Sequence, residues 1–237
     1  MPVIALGGLT AGGGRIIGPK VAKKLNIEYV DKDIIKQAAL QSGMDIELFT
    51  KKEEKPSSFS DSILQKISEI LEKSAFAGAV GDPHFGPGAA AFLTHEFEDL
   101  ASERNDDKYH LNDADYSKGI QQTVLQLAEL GSIVIVGRGA NIILQSNPKI
   151  LRVGLIAEEE DRIRRISLFE KVSLDEAKIL MDNRDQARTQ YFQKVFDIED
   201  PDNRFNYHAV LNTSAMSFDA ATDVIVDLAK DLHLEEN

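Results

Sequence analysis

The sequence predicts an α/β protein built on a parallel five-stranded sheet covered by helices, with one inserted segment. Two observations carry this expectation. Short apolar runs alternate along the chain with stretches whose apolar residues recur at helical spacing, the pattern of strands joined by crossover helices. A glycine-rich run, Thr10-Ala11-Gly12-Gly13-Gly14-Arg15-Ile16-Ile17-Gly18, lies between the first apolar run and the first helical pattern. That is where a parallel sheet turns from strand to helix.

Strands are expected at Val3 to Leu6, Ile27 to Val30, Ile133 to Val136, Leu151 to Ile156 and His208 to Leu211. Helices are expected at about Arg15 to Leu25, Lys32 to Gln41, Asp61 to Phe76, Ser117 to Leu130, Glu158 to Lys171, Leu174 to Gln193 and Asp219 to Leu232. Ser173 and Glu176 have the spacing of a capping box, which marks a helix start independently of periodicity. Ile63, Leu64, Ile67, Ile70 and Leu71 form one apolar stripe, read as core packing. Gly78 to Ala90 holds four glycines and two prolines, which forbid a continuous helix or a central strand. It is expected to be a mobile loop. With the acidic stretch 91–116 it interrupts the alternation, so residues 43–116 are assigned to an insertion within a single domain, 1–237.

Composition narrows the function classes. A chain of 237 residues, 43% hydrophobic and 28% charged, can bury a substantial core. No apolar run approaches the roughly 18 to 20 residues that cross a bilayer, and no signal-peptide pattern opens the chain, so the cytoplasm is the expected location. The absence of cysteine excludes a disulfide framework, a thiolate metal site and a cysteine nucleophile. The net charge of -12 argues against broad binding to nucleic acid or to an anionic membrane. Residues 91–116 carry eight acids against two bases, half of that net charge, and leave the remainder able to form a local basic pocket.

Small residues between strand and helix let backbone N–H groups converge on phosphate oxygens at the helix's positive end, and Gly12, Gly13 and Gly14 supply that freedom. The template G-x-x-x-x-G-K-[ST] can be laid on Gly8 to Arg15, but Gly14 then fills the lysine slot and Arg15 the Ser/Thr slot. The dinucleotide fingerprint G-x-G-x-x-G fits worse, although Asp31 lies near the end of the second strand, where such folds place a ribose-binding acid. A tight turn without a ligand is the plainer alternative. Arginines further along weigh against it. Arg138 follows the third strand directly; Arg162, Arg164 and Arg165 share one helix; Arg184 and Arg188 flank Asp185 on the next. Several fixed cations near a glycine loop are what phosphoryl transfer needs.

These motifs, with Tyr29-Val30-Asp31-Lys32-Asp33-Ile34-Ile35, Ile135-Val136-Gly137-Arg138-Gly139-Ala140 and Leu211-Asn212-Thr213-Ser214, resemble the cytidylate kinase-like family of P-loop nucleoside monophosphate kinases over nearly the whole chain. The resemblance implies the three-layer αβα sandwich of P-loop NTPases, with a mostly helical acceptor-binding subdomain inserted at 43–116 and a lid at about 158–193. It implies transfer of the ATP γ-phosphoryl group to a (d)CMP-like acceptor, with Mg²⁺ and with nucleotides as the partners. Ala11, Gly12, Gly13, Gly14, Arg15 and Ile16 then correspond to the phosphate loop, and Arg138 to the arginine of the family's G-R turn. Arg162 and Arg165 correspond to lid arginines, and Arg184, Asp185 and Arg188 to an R-D-x-x-R run. Arg138 and Asp31 are assigned to the acceptor. Gly139 stands where the family has an aspartate, and the family's kinase-like branch shares the missing lysine.

Arg15 is the candidate surrogate for that lysine, because a guanidinium grips two phosphate oxygens at once. Without a Ser or Thr in the metal slot, Mg²⁺ would ride on the nucleotide, on water and on Asp31 or Asp33, although Asp31 equally suits a helix N-cap. Two further readings stand beside the kinase: a non-catalytic, nucleotide-binding regulatory protein of the same fold, and a dinucleotide-binding oxidoreductase. Arg188 is expected to pair with Asp185 and to swing over the phosphates.

Overall fold

All five expected strands form, displaced by at most two residues at either end, in a computed structural model that describes residues 2–31 and 113–234. The chain runs β1 (Val3–Gly8), α1 (Gly14–Leu25), β2 (Glu28–Asp31), α2 (Asp113–Leu130), β3 (Ile133–Val136), α3 (Ala140–Ile143), β4 (Ile150–Ile156), α4 (Glu159–Glu170), α5 (Leu174–Phe196), a 3-10 turn (Arg204–Asn206), β5 (Ala209–Asn212) and α6 (Phe218–Leu234). The expected helices at 32–41 and 61–76, the 78–90 loop and most of the 43–116 insertion lie outside the described residues. The last four residues of that insertion are helical, because α2 starts at Asp113 and not at Ser117.

The strands pair in the order β2-β3-β1-β4-β5, all parallel, with β1 central. Period-two alternation sends Val3 and Ala5 to one face, where they meet Val124 and Leu127 of α2 and Ala140 and Leu144 around α3. Ile4 and Leu6 go to the other, against Ile17 and Val21 of α1 and Ala221 and Ile225 of α6. Helices on both faces of a parallel sheet make the three-layer αβα sandwich. A dinucleotide-binding fold would place β2 beside β1, and here β3 and β4 hold those positions, so the oxidoreductase reading is set aside.

This order creates the crevice. The chain leaves β1 toward α1 on one face and leaves β3 toward α3 on the other, so the loops after these adjacent strands diverge at their carboxyl ends. Open α/β sheets bind ligands at such a switch point. Helix α5 lies over it. The capping box at Ser173 and Glu176 starts this helix, and Asp197, in the left-handed region at φ 57°, closes it by donating to the carbonyls of Gln193 and Phe192. The helix runs three residues beyond its expected end at Gln193, and the added turn seats Phe196 edge-to-face with Tyr191 and Phe192.

One tertiary device was absent from the sequence pattern. Gly7 of β1 and Gly154 of β4 are register partners, and a Cβ on either would come within 3.0 to 3.1 Å of Tyr207. The two glycines form a bare shelf for this ring, whose hydroxyl reaches the Pro201 carbonyl at 3.4 Å. Burial is the main cause that pushes the Tyr207 hydroxyl up to about 12. A raised pKa favours the protonated form in the folded state, so this stability is complete below the unfolded value near 10 and is lost as pH rises toward 12. Tm is therefore expected to fall between pH 10 and 12, and to fall less steeply in Tyr207→Phe. Equal slopes in a pH series of thermal melts would refute this. Ser173→Ala is expected to lose about 1 kcal/mol, or roughly 2–4 °C of Tm, by removing one half of the capping box.

Candidate phosphate site

The glycine loop is drawn tightly onto β4. Leu9 donates to the Leu155 carbonyl at 3.0 Å, and a Cβ on Gly8 would lie 2.1 Å from that same oxygen. Gly8, at φ 117°, therefore combines a left-handed turn with a contact that only glycine can make. Three successive carbonyls are each taken by a protein donor. The Thr10 carbonyl accepts from Arg162 Nε at 2.7 Å, the Ala11 carbonyl from Arg165 at 2.8 Å, and the Gly12 carbonyl from Thr213 Oγ1 at 2.9 Å. In a trans peptide the N–H opposes the carbonyl, so the amides of residues 11, 12 and 13 each face away from that donor. The Gly12 amide does not remain a phosphate donor as expected, because it closes the loop onto the Leu9 carbonyl at 2.9 Å. Those of Gly13 and Gly14, at the start of α1, meet no protein acceptor among the described residues. The Ile16 amide is taken by the Gly13 carbonyl within the first helical turn.

Helices α4 and α5 form a hairpin, and three of its arginines and lysines are held by acids. Arg162 donates to Asp185 as well as to the loop, Arg184 to Glu170 at 2.7 Å, and Lys178 pairs with Glu159. The expected Arg188 to Asp185 pair is not made. Arg188, 5% exposed, instead forks onto both oxygens of Asp202, at 2.7 and 2.8 Å, and stacks over Phe192. The cause is local geometry: Asp185 is turned toward α4, while the 197–206 return loop brings Asp202 to the far side of α5. Arg165 is bound on both sides by Ala11 and Thr213 and stacks over Phe218, so it braces the loop. Its burial lowers its pKa from the ordinary arginine value.

Arg138 follows β3 in the left-handed conformation, φ 53°, between two positive-φ glycines. Such backbone in a non-glycine residue costs roughly 1 kcal/mol and gathers at functional turns. It lines a cleft with the glycine loop, Asn141, Tyr191, Phe192 and Arg188. A second cleft, on the other side of the loop, is lined by Arg15, Ile16, Arg165, Glu170 and Arg184. Gly14, in the lysine slot, borders both. Asp31 is buried at the end of β2 and accepts from the Tyr29 hydroxyl at 2.9 Å. It lines neither cleft.

The structure thus brings Ala11 to Ile16, Arg138, Arg165, Arg184 and Arg188 to the walls of these two clefts, while Arg162 and Asp185 line neither and meet each other behind the loop carbonyl of Thr10. Sequence reasoning missed Thr213, Glu170, Asp202 and Asn141. Thr213 and Asn141 did lie inside quoted or adjoining motifs, Leu211 to Ser214 and Gly137 to Ala140, which was the available signal.

A glycine loop at the central switch point of a parallel sheet, beside a helical hairpin rich in arginine, defines a P-loop kinase-like protein. The chain belongs to the cytidylate kinase-like family, whose model matches residues 3–215. No curated protein matches the sequence. Among solved structures, an uncharacterized protein from Eubacterium ventriosum is similar in fold, with 19% identity, 97% of this chain and 98% of that one covered, and a TM-score of 0.57. A shikimate kinase from Acinetobacter baumannii in complex with shikimate aligns at 14% identity over 98% and 94% of the two chains, with a TM-score of 0.47.

The brace on the loop is open to a direct test. Thr213→Val keeps the shape but removes the hydroxyl that serves Gly12, Ile156 and Arg165, and is expected to cost about 1–3 kcal/mol. A melt unchanged within error would show that the loop holds itself.

Proposed function

We propose that the protein is a nucleoside monophosphate kinase-like phosphotransferase that moves the ATP γ-phosphoryl group to a (d)CMP-like acceptor. The observation that carries this reading is the pair of arginine-lined clefts meeting at Gly14, one with Arg138 and Arg188 and the other with Arg15, Arg165 and Arg184. Two anionic substrates approaching from opposite sides of one loop would meet there. An acceptor phosphate oxygen would form a bond to the γ-phosphorus as the bond to the β–γ bridging oxygen breaks and ADP leaves. No covalent enzyme intermediate is required.

The chain's part is positioning and charge neutralisation. The Gly13 and Gly14 amides donate to the transferring region, and Arg15 stands nearest in sequence to the missing lysine. Arg138 and Arg188 address the acceptor anion, while Arg162, Arg165 and Arg184 fix the loop and lid that enclose the donor. Mg²⁺ bound with the nucleotide would supply neutralisation of phosphate charge. With no carboxylate among the described residues lining either cleft except Glu170, which pairs with Arg184, the residues present suit an ion that keeps mostly water and phosphate oxygens.

One observation favours a second reading, that of a nucleotide-binding regulatory protein. Arg162, Arg184 and Arg188 are each neutralised by an acid, so a phosphate must displace a carboxylate or accept a shared cation. A coupled ADP-release assay of ATP with CMP, dCMP, UMP and AMP separates the two. Turnover of any pair well above ATP hydrolysis supports the kinase; nucleotide protection in thermal shift without turnover supports the regulator. In an active protein, Arg188→Met is expected to lower kcat by about 10³-fold. A parallel Arg188→Met/Asp202→Asn variant avoids stranding the carboxylate. Folded variants within a few-fold of the parent would remove Arg188 from the chemistry.

A further inference from the structure

We infer that Asn141 and Thr10 form a neutral recognition pair that reads a hydrogen-bonding group of the acceptor beside the anion addressed by Arg138 and Arg188. The inference rests on the proposed function only in naming the ligand an acceptor. Asn141 is the second residue of α3 and is 2% exposed, yet its Nδ2 has no partner among the described residues. Thr10 is 3% exposed, and its Oγ1 is likewise without a partner, although its carbonyl serves Arg162. Both side chains line the cleft that Arg138 and Arg188 border. Buried polar groups are nearly always hydrogen-bonded, and two unpaired in one cleft point to a partner from outside the chain.

Charged and polar neighbours at the loop are engaged. Thr213, buried on the other side of the same loop, has every hydroxyl contact in use, and Arg188 is forked onto Asp202. The space above Gly7 is taken by the Tyr207 ring and by Asn141 Oδ1, 3.3 Å from the point a Cβ would occupy, which sets the oxygen end of this carboxamide close to β1. The walls are apolar, among them Leu6, Leu155 and Phe192.

The residue types select the ligand. The unpartnered Asn141 Nδ2 donates and the Thr10 hydroxyl donates or accepts, whereas the Arg138 and Arg188 guanidiniums are the better match for a phosphate. The matching group is neutral, with an acceptor for Nδ2 and either function for Oγ1, as in a sugar hydroxyl or the polar edge of a base. The cleft is therefore a site for an organic phosphate, with its anion and its neutral group bound side by side, and not for inorganic phosphate or a phosphate chain.

Calorimetric titration of the full chain with CMP, dCMP, ribose 5-phosphate and inorganic phosphate tests this, in the parent and in Asn141→Leu and Thr10→Val. Asn141→Leu is expected to keep or raise Tm and to weaken at least one organic phosphate by about tenfold or more, with inorganic phosphate unchanged within about twofold. Loss of the preference between CMP and dCMP would assign the contact to the sugar hydroxyl; equal weakening of both, with ribose 5-phosphate unaffected, would assign it to the base. Equal weakening of organic and inorganic phosphate, no change in either, or a parent that favours no organic phosphate over the inorganic ion would overturn the inference. If Asn141→Leu lowers Tm, the same selectivity test on Thr10→Val decides. Because binding is the readout, a parent that binds CMP through Asn141 without turning it over would sink the kinase reading alone. Turnover with binding indifferent to both variants would sink this inference alone.

Discussion

Everything at the crevice depends on where three carbonyls of the glycine loop are held. Thr10, Ala11 and Gly12 would, left to themselves, turn their oxygens in any of several directions, since a glycine-rich backbone has little preference. Arg162, Arg165 and Thr213 remove that freedom. With the oxygens fixed, planarity fixes the opposing amides as well: that of Gly12 closes the loop onto the Leu9 carbonyl, and that of Gly13 joins the Gly14 N–H at the start of α1. Two residues that resemble phosphate clamps in sequence thus act here through the loop, by defining its shape.

The electrostatics of the site follow from the same economy of cations. A loop without a lysine has no fixed charge of its own at position 14, so positive potential must come from side chains on other elements. Those side chains are buried and paired, and buried charges require partners. The acids that make the arginines tolerable inside the protein also compete with any incoming phosphate. Neutral groups such as Asn141 have no such competitor.

The fold was legible because its signals are local. Period-two apolar runs, helical spacing and one capping box mark strands and helices without reference to the rest of the chain, and the glycine run between β1 and α1 marks the crevice. The crowd of arginines around that crevice was legible too, from their places just past strand ends and on consecutive helices. Their individual partners were not. Arg188 lies one turn from Asp185 in sequence but bonds to Asp202, because the choice is made by the path of the return loop between α5 and β5. Thr213 looked like the tail of a strand, and only the parallel pairing of β4 with β5 brings it beneath the glycine loop. Asn141 gave no periodic signal, since its importance lies in a bond it does not make.

The bare shelf under Tyr207 joins three positions, 7, 154 and 207, that are far apart along the chain and inseparable in space. A methyl group at either glycine must be matched by a smaller or displaced ring, so among related chains these positions should change together or not at all. The ring also anchors Pro201 and, next to it, Asp202, the residue that grips Arg188. A single added carbon on the middle of β4 would therefore be felt at a guanidinium it never touches, and drift in this family would shift the far side of α5 from inside the sheet with every arginine of the crevice unchanged.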